Sequence, residues 1–201
     1  MPITNAARRI HCEWNIDRRL ATVVLDEADT VLGGVRGFLL TIRDGILTAN
    51  AGIDLKNAPP GTAMLWPRNA NASARQLRRS LEKKFKTRLG VIVVDSRVTP
   101  LRLGTVGLAI GLSGFRPVSD HRGVQDLYGR KAEVTQTNVA DDLASSAHLL
   151  MGETNEQIGV VVARGGPSLL AGIDDSRRVR LTARKCLITS SINSAQNRRT
   201  R

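Results

Sequence analysis

Two apolar runs flank Asp44-Gly45 in the stretch GFLLTIRDGILTANAG, and this arrangement limits the fold more than any other feature of the chain. An Asp-Gly pair tolerates the positive φ values of a tight turn, so the flanking runs read as an antiparallel hairpin. The second strand leads directly into Ala51-Gly52-Ile53-Asp54. Helical patterns surround this hairpin. Residues 17–32 place Leu20, Val23, Val24, Ala28 and Val31 at helical spacing, with Gly33-Gly34 as the stop. A second helix begins near Asn71 or Ser73 and turns Ala74, Leu77, Leu81 and Phe85 to one side. Its basic residues Arg75, Arg78, Arg79, Lys83 and Lys84 lie largely away from that side. A third helix covers residues 139–151, with Val139, Leu143, Ala147 and Leu150 together. Alternating helices and strands that include a hairpin predict an α+β fold with mixed sheets and packed helices, and not a purely parallel sheet.

Further strands are expected at three places. Residues 89–94 form a short β-branched run ending at Asp95, residues 158–164 read IGVVVAR, and a last strand falls near Cys186-Leu187-Ile188. The segment RLGTVGLAIGLSGFRP alternates glycine with small apolar residues, which fits a sheet element packed closely against another backbone. No Gly-Lys-Ser/Thr closes it, so it is not a Walker loop. Pro59-Pro60 and Pro67 mark an extended loop around Trp66, and residues 165–176 read as a second loop.

Composition removes several classes of function. No apolar run approaches the ~20 residues that a membrane helix requires, and the first residues lack the apolar core of a secretory signal. Cys12 and Cys186 form neither a disulfide framework nor a metal spacing, which fits a reducing cytoplasm. The formal charge is +12, concentrated in residues 75–88, residues 177–184 and the tail. Such a balance suits a nucleic-acid binder, a solvated helix face, or a field that attracts polyanionic substrates. Aromatics make up only 3% of the chain, and the basic clusters have just Phe85 for base stacking, so nucleic acid is the weakest of the three.

Asp54 and Asp95 each stand where a strand pattern runs out into a polar loop. A rigid sheet can hold such carboxylates open toward a ligand, and two of them can share a hard cation of the kind that accompanies phosphate chemistry. Loop aspartates also cap turns and helices, and spacing alone does not separate the two roles.

The ordered blocks AGID-LKN, VIVVDS, R-L-G-TVGLAIG-LSG, D-LYGR, VADDLA and LLMGE resemble the coenzyme F-420-0:L-glutamate ligases, or γ-glutamyl ligases, over residues 16–165. The resemblance implies a ligase-like α+β fold of two intertwined lobes and a homodimer. It implies a ligase that uses GTP to join L-glutamate to a phosphorylated deazaflavin through an acyl phosphate. Mg²⁺ or Mn²⁺ would serve as the cation, with K⁺ as a further ion. By the same resemblance, Asp54, Asp95 and Ser96 match cation-binding positions, and Glu153 falls where relatives often carry a glutamine ligand. Asn57 matches a GTP contact, and Thr154, Asn155, Glu156, Gln157 and Ile158 would line the nucleotide. Arg102 and Arg130 are open to two readings, a phosphate or carboxylate clamp or an ion-pair partner. Asp126 and Tyr128 read as hydrogen-bonded turn residues, while His11, His121 and His148 read as ordinary surface or core residues.

The chain departs from the family pattern in two ways. Relatives usually open with an apolar lobe ahead of the region matched from Ile16, so one wall of the nucleotide site is expected to be missing or supplied by a partner. The segment VTPLR before Gly104 replaces a more aromatic sequence, which leaves another phosphorylated acid open as the acceptor. The expected organisation is a polar stretch over 1–15, a catalytic region over 16–190 with sub-lobes 16–95 and 96–190, and a basic tail over 191–201.

Overall fold

The computed structural model describes residues 2–165, 170, 179–182 and 184–191. The chain starts with two helices, α1 (Asn5–Trp14) and α2 (Arg18–Glu27). Thr4 caps α1 by accepting from the Ala7 N–H, and Asp17 caps α2 by accepting from Arg19 and Leu20. Residues 1–15 are therefore more than a polar stretch. Ala7 and Ile10 join Ile16, Ala21, Val24, Leu39 and Ala51 in one buried cluster.

α2 ends well before Leu32, contrary to the helical spacing of Ala28 and Val31. Ala28 is already extended, and the next residues form β1 (Thr30–Val35), so Gly33-Gly34 sits within a strand and does not stop a helix. Sheet pairing overrides helical spacing here. β1 pairs antiparallel with β2 (Phe38–Arg43), which pairs antiparallel with β3 (Ile46–Ala49). The turn between β2 and β3 is Asp44-Gly45, with both residues at positive φ as the hairpin requires.

α3 (Ala70–Phe85) is capped by Asn69, which accepts from the Ala72 N–H. Its expected apolar stripe is only partly used. Leu77 is 48% exposed and Phe85 is 60% exposed. The side facing the neighbouring strand carries Asn71, Ala74 and Arg78: Asn71 accepts from the Leu112 N–H at 3.0 Å, and Arg78 donates to Ser113 Oγ at 2.7 Å. Polar anchoring has replaced an apolar seam, which the basic look of the helix concealed.

β4 (Val91–Val98) and β5 (Thr105–Ser113) form an antiparallel pair that α3 and α4 (Val139–Met151) cover. β4 continues through residues 95 and 96, so the expected lobe boundary falls inside a strand. Glycine lets β5 press against both helices. A Cβ at Gly107 would lie 2.2 Å from the Ala144 carbonyl oxygen, and one at Gly111 would lie 2.4 Å from the Ala70 carbonyl carbon. The register shifts between Val93 and Val94, and nearby the Ala109 N–H is taken by Asp141 of α4 at 3.0 Å. One face of the pair joins Ala140 and Ala144 in a buried cluster, and the other face meets Ile46 and Trp66.

Between β5 and α4 the chain makes a narrow two-stranded excursion, β6 (Ser119–Asp120) with β7 (Gln136–Thr137). Residues 158–164 do not form the expected strand. Val160 and Val162 are 79% and 70% exposed, with no strand pairing among the described residues. β-branched residues favour a strand only where an edge is available to pair with. Residues 187–191 are helical, which replaces the strand expected near Cys186. Most of the 165–176 loop and of the 191–201 tail lies outside the described residues. No described helix is long and apolar enough to cross a membrane.

Candidate active site

Buried polar side chains fix the chain as it leaves β3. Thr41 Oγ1 donates to the Thr48 carbonyl and accepts from the Ala51 N–H, each at 2.8 Å. Asn50 Oδ1 accepts from the Leu39 N–H at 2.9 Å. Arg43 donates to the Ala51 carbonyl at 3.0 Å and forms an ion pair with Glu27. Asn50 and Ala51 both adopt positive φ, so this short turn is held by its partners and not by local preference.

Asp54 follows, in an isolated antiparallel bridge with Met64. Its Oδ1 accepts from the Lys56 N–H at 2.8 Å, an Asx-type turn that aims the carboxylate outward. Asn57 then donates from Nδ2 to the Thr154 carbonyl at 2.8 Å, which ties this loop to the one after α4.

Asp95 lies within β4, not at its end. Trp66 Nε1–H donates to Asp95 Oδ2 at 2.6 Å. Burial raises the Asp95 carboxyl above its ordinary range, and the neighbouring charges of Asp54 and Glu153 push the same way, against hydrogen bonds from Trp66 and the Ser96 backbone. Asp54 and Glu153 thus both lie in electrostatic reach of Asp95.

Strand alternation sends Asp95 and Ser96 to opposite faces. Ser96 hydrogen-bonds Glu153, whose Oε1 also accepts from Thr105 Oγ1 at 2.7 Å and meets His148 Nε2 at 2.5 Å. Burial raises the Glu153 carboxyl, but the bonds from His148, Thr105 and Ser96 outweigh it and hold the group below its usual range. Glu153 is therefore firmly seated before any ligand arrives.

The loop that follows is stabilised from within. Glu156 accepts from the Thr154 N–H at 2.8 Å and from Thr154 Oγ1 at 3.2 Å, and Thr154 also reaches Asn155 Oδ1 at 3.4 Å. Gln157 takes a positive φ, and Ile158 is exposed.

Arg102 lies in the exposed β4–β5 loop, and Arg130 lies near the tip of the excursion between β6 and β7. Neither guanidinium has an ion-pair partner among the described residues. Asp126 does organise its turn, since Oδ1 accepts from the Tyr128 and Arg130 N–H groups at 2.8 and 2.9 Å.

Four residues escaped the sequence reading. Trp66 and Thr105 bind carboxylates 29 and 48 positions away, a relation no local pattern carries. His148, read as ordinary, sits in the last turn of α4, five positions before Glu153, and that spacing was legible. Arg97 shares a strand face with Asp95 by alternation, and its Nε is buried without a hydrogen-bond partner among the described residues.

Among the described residues no group of three or more His, Cys, Asp or Glu forms a ready-made metal cage. The pair Asp54 and Asp95 fits a different mode, in which Mg²⁺ or Mn²⁺ is held by one or two carboxylates together with ligand phosphate oxygens. A cation at this position would offset the burial of the Asp95 charge and the neighbouring negative charges of Asp54 and Glu153.

A family model described as F420-0:Gamma-glutamyl ligase matches residues 1–165, starting ahead of Ile16. The coenzyme F420:L-glutamate ligase of Methanopyrus kandleri is 40% identical over 169 residues, covering 84% of this chain and 67% of that protein. The Methanocaldococcus jannaschii protein of that name is 41% identical over 150 residues, or 74% of this chain and 60% of the relative. The Archaeoglobus fulgidus protein of that name is 42% identical over 142 residues, or 71% and 57%. The matched stretch thus spans about two thirds or less of each of these relatives. With a match this extensive and an α+β fold around its sequence blocks, the chain belongs to the F420-0:gamma-glutamyl ligase family.

Proposed function

We propose that this protein takes part in GTP-dependent ligation of L-glutamate to the lactyl carboxylate of coenzyme F420-0, a phosphorylated deazaflavin, in the cytoplasm. One observation carries the reading in a chain of this family: Asp54, in the bridge with Met64, and Asp95, in β4, come from separate elements, and both Asp54 and Glu153 lie in electrostatic reach of Asp95. A bound Mg²⁺ or Mn²⁺ would neutralise phosphate charge and bring triphosphate and carboxylate together.

In this reading the lactyl carboxylate oxygen attacks the γ-phosphorus of GTP, and GDP leaves. The α-amine of glutamate then attacks the acyl carbon, loses a proton, and inorganic phosphate departs. Asp54 and Asp95 supply fixed negative charge on the cation side. The Asn57–Thr154 bond positions the loop of residues 154–158 beside the nucleotide. The Arg97 Nε, buried on the same strand face as Asp95 with no hydrogen-bond partner among the described residues, supports an anionic ligand there. Glu153, which Ser96 hydrogen-bonds and which lies in electrostatic reach of Asp95, takes part with Ser96 in cation binding by family resemblance.

A homodimer belongs to the proposal. The outer face of β2 leaves Phe38 and Leu40 exposed beside Val35 of β1, which supports a further contact for this sheet. The test is incubation with GTP, Mn²⁺, L-glutamate and F420-0, followed by mass spectrometry and phosphate release. The expected result is a glutamyl product formed together with GDP and phosphate, from a species of two-chain mass by light scattering. GTP turnover that requires a different phosphorylated acid would reassign the acceptor. No product and no GTP turnover from any such acid would remove the ligase reading.

A further inference from the structure

We propose that Trp66 is a positioning residue that sets the orientation of the Asp95 carboxylate for a divalent cation; the inference rests on the reading of Asp54 and Asp95 as cation ligands. A carboxylate on a strand keeps a broad terminal torsion unless something pins one oxygen. Trp66 does this through its single donor, the Nε1–H, at 2.6 Å from Asp95 Oδ2. Oδ1 is then directed by the plane of the group.

The indole is itself held on several sides. It is 8% exposed and packs with Ile46, Leu108 and Ile110. Gly52 lies directly against it, so that a Cβ there would sit 2.2 Å from the ring. The Arg43 guanidinium stacks over the ring at 5.4 Å from the centroid, and Arg43 is anchored to Glu27 and to the Ala51 carbonyl. The result is a continuous chain from α2 through Glu27, Arg43 and Trp66 to Asp95. The same Ala51 and Gly52 segment leads to Asp54, so one set of contacts fixes both carboxylates. A buried apolar filler would need no donor aimed at a carboxylate. A ligand-orienting partner does.

The chain has two tryptophans, Trp14 and Trp66, and therefore two indole N–H signals. Trp14 packs against the α1–α2 core and serves as an internal control, with Trp14→Phe assigning the pair. Mg²⁺ titrated into the ¹⁵N-labelled protein should shift the Trp66 indole and leave Trp14 in place. Trp66→Phe, which keeps an aromatic ring and loses the donor, should bind Mn²⁺ about 10–100-fold more weakly at unchanged circular dichroism. A role in packing alone would lower the melting temperature and leave Mn²⁺ affinity unchanged, and that result overturns the proposal while sparing the carboxylate reading. If Trp66→Phe does not fold, the wild-type spectrum decides, because an unmoved Trp66 indole at saturating Mg²⁺ overturns the proposal. A wild-type protein that binds neither cation, alone or with GTP present, overturns the carboxylate reading, and this inference with it.

Discussion

Asp95→Asn loses glutamate ligation by at least about 100-fold, because removing one of two carboxylates costs cation affinity and the alignment that depends on it. The same substitution leaves the protein melting no lower than the wild type when divalent cations are absent. Burial raises the Asp95 carboxyl in the folded state, and Asp54 and Glu153 add to the effect. Between the unfolded and the folded pKa the native state holds a proton that the unfolded chain has released. Stability therefore falls as pH rises through that window, and the penalty is complete above it. Asparagine carries no charge to bury and can still accept from Trp66. Cation should reverse the order. At 100 times its dissociation constant it would add about 2.7 kcal/mol to the wild type, or roughly 5–10 °C of melting temperature, and little to the variant. Calorimetric melting at neutral pH with and without Mn²⁺ checks both halves. A large loss of stability in cation-free Asp95→Asn would mean that Asp95 serves the fold and not the site.

Gly107→Ala is the second large effect, and it acts on stability. The new Cβ would meet the Ala144 carbonyl oxygen at 2.2 Å, its carbon at 2.6 Å and His148 Cβ at 2.8 Å. Two of these are helix backbone, so α4 must move away from β5. That movement also strains the Ser145 Oγ bond to the Gly107 carbonyl, now 2.9 Å. An expected loss of about 3 kcal/mol corresponds to roughly 6–12 °C in melting temperature. Because α4 carries His148 and leads to Glu153, cation affinity should weaken in parallel. Gly159→Ala is the control, since nothing lies within 4 Å of a Cβ there and its change should stay within about 0.5 kcal/mol. Equal melting temperatures for the two variants would contradict the close approach of β5 and α4.

Local signals in the sequence carried the parts of the fold that depend on local chemistry. The Asp44-Gly45 turn follows from two residues that accept positive φ, and the extent of α4 follows from the helical spacing of Val139, Leu143 and Ala147, although Ala140 and Ala144 are its buried residues and Leu150 is exposed. The glycines of β5 announced close backbone contact, which Ala144 and Ala70 supply. Elements decided by distant partners were harder to read. Val31 fits a helix or a strand equally well until β2 is there to pair with it. Leu77 and Phe85 look like core on a helical wheel, yet α3 rests on β5 through Asn71 and Arg78. At the site, Asp54 and Asp95 stand out in the sequence as carboxylates after apolar runs. Their coupling, and the hold of Trp66 on Asp95, exist only once the loop around Trp66 folds back over β4.

The central claim is that this carboxylate pair forms a cation-dependent nucleotide site. Calorimetric titration of GTP into the wild-type chain, with and without Mn²⁺, and into Asp95→Asn, tests it most directly. Saturable binding of GTP by the wild type that requires Mn²⁺ and disappears in Asp95→Asn is the predicted result. GTP binding that is indifferent to both Mn²⁺ and Asp95, or no binding under either condition, would contradict it.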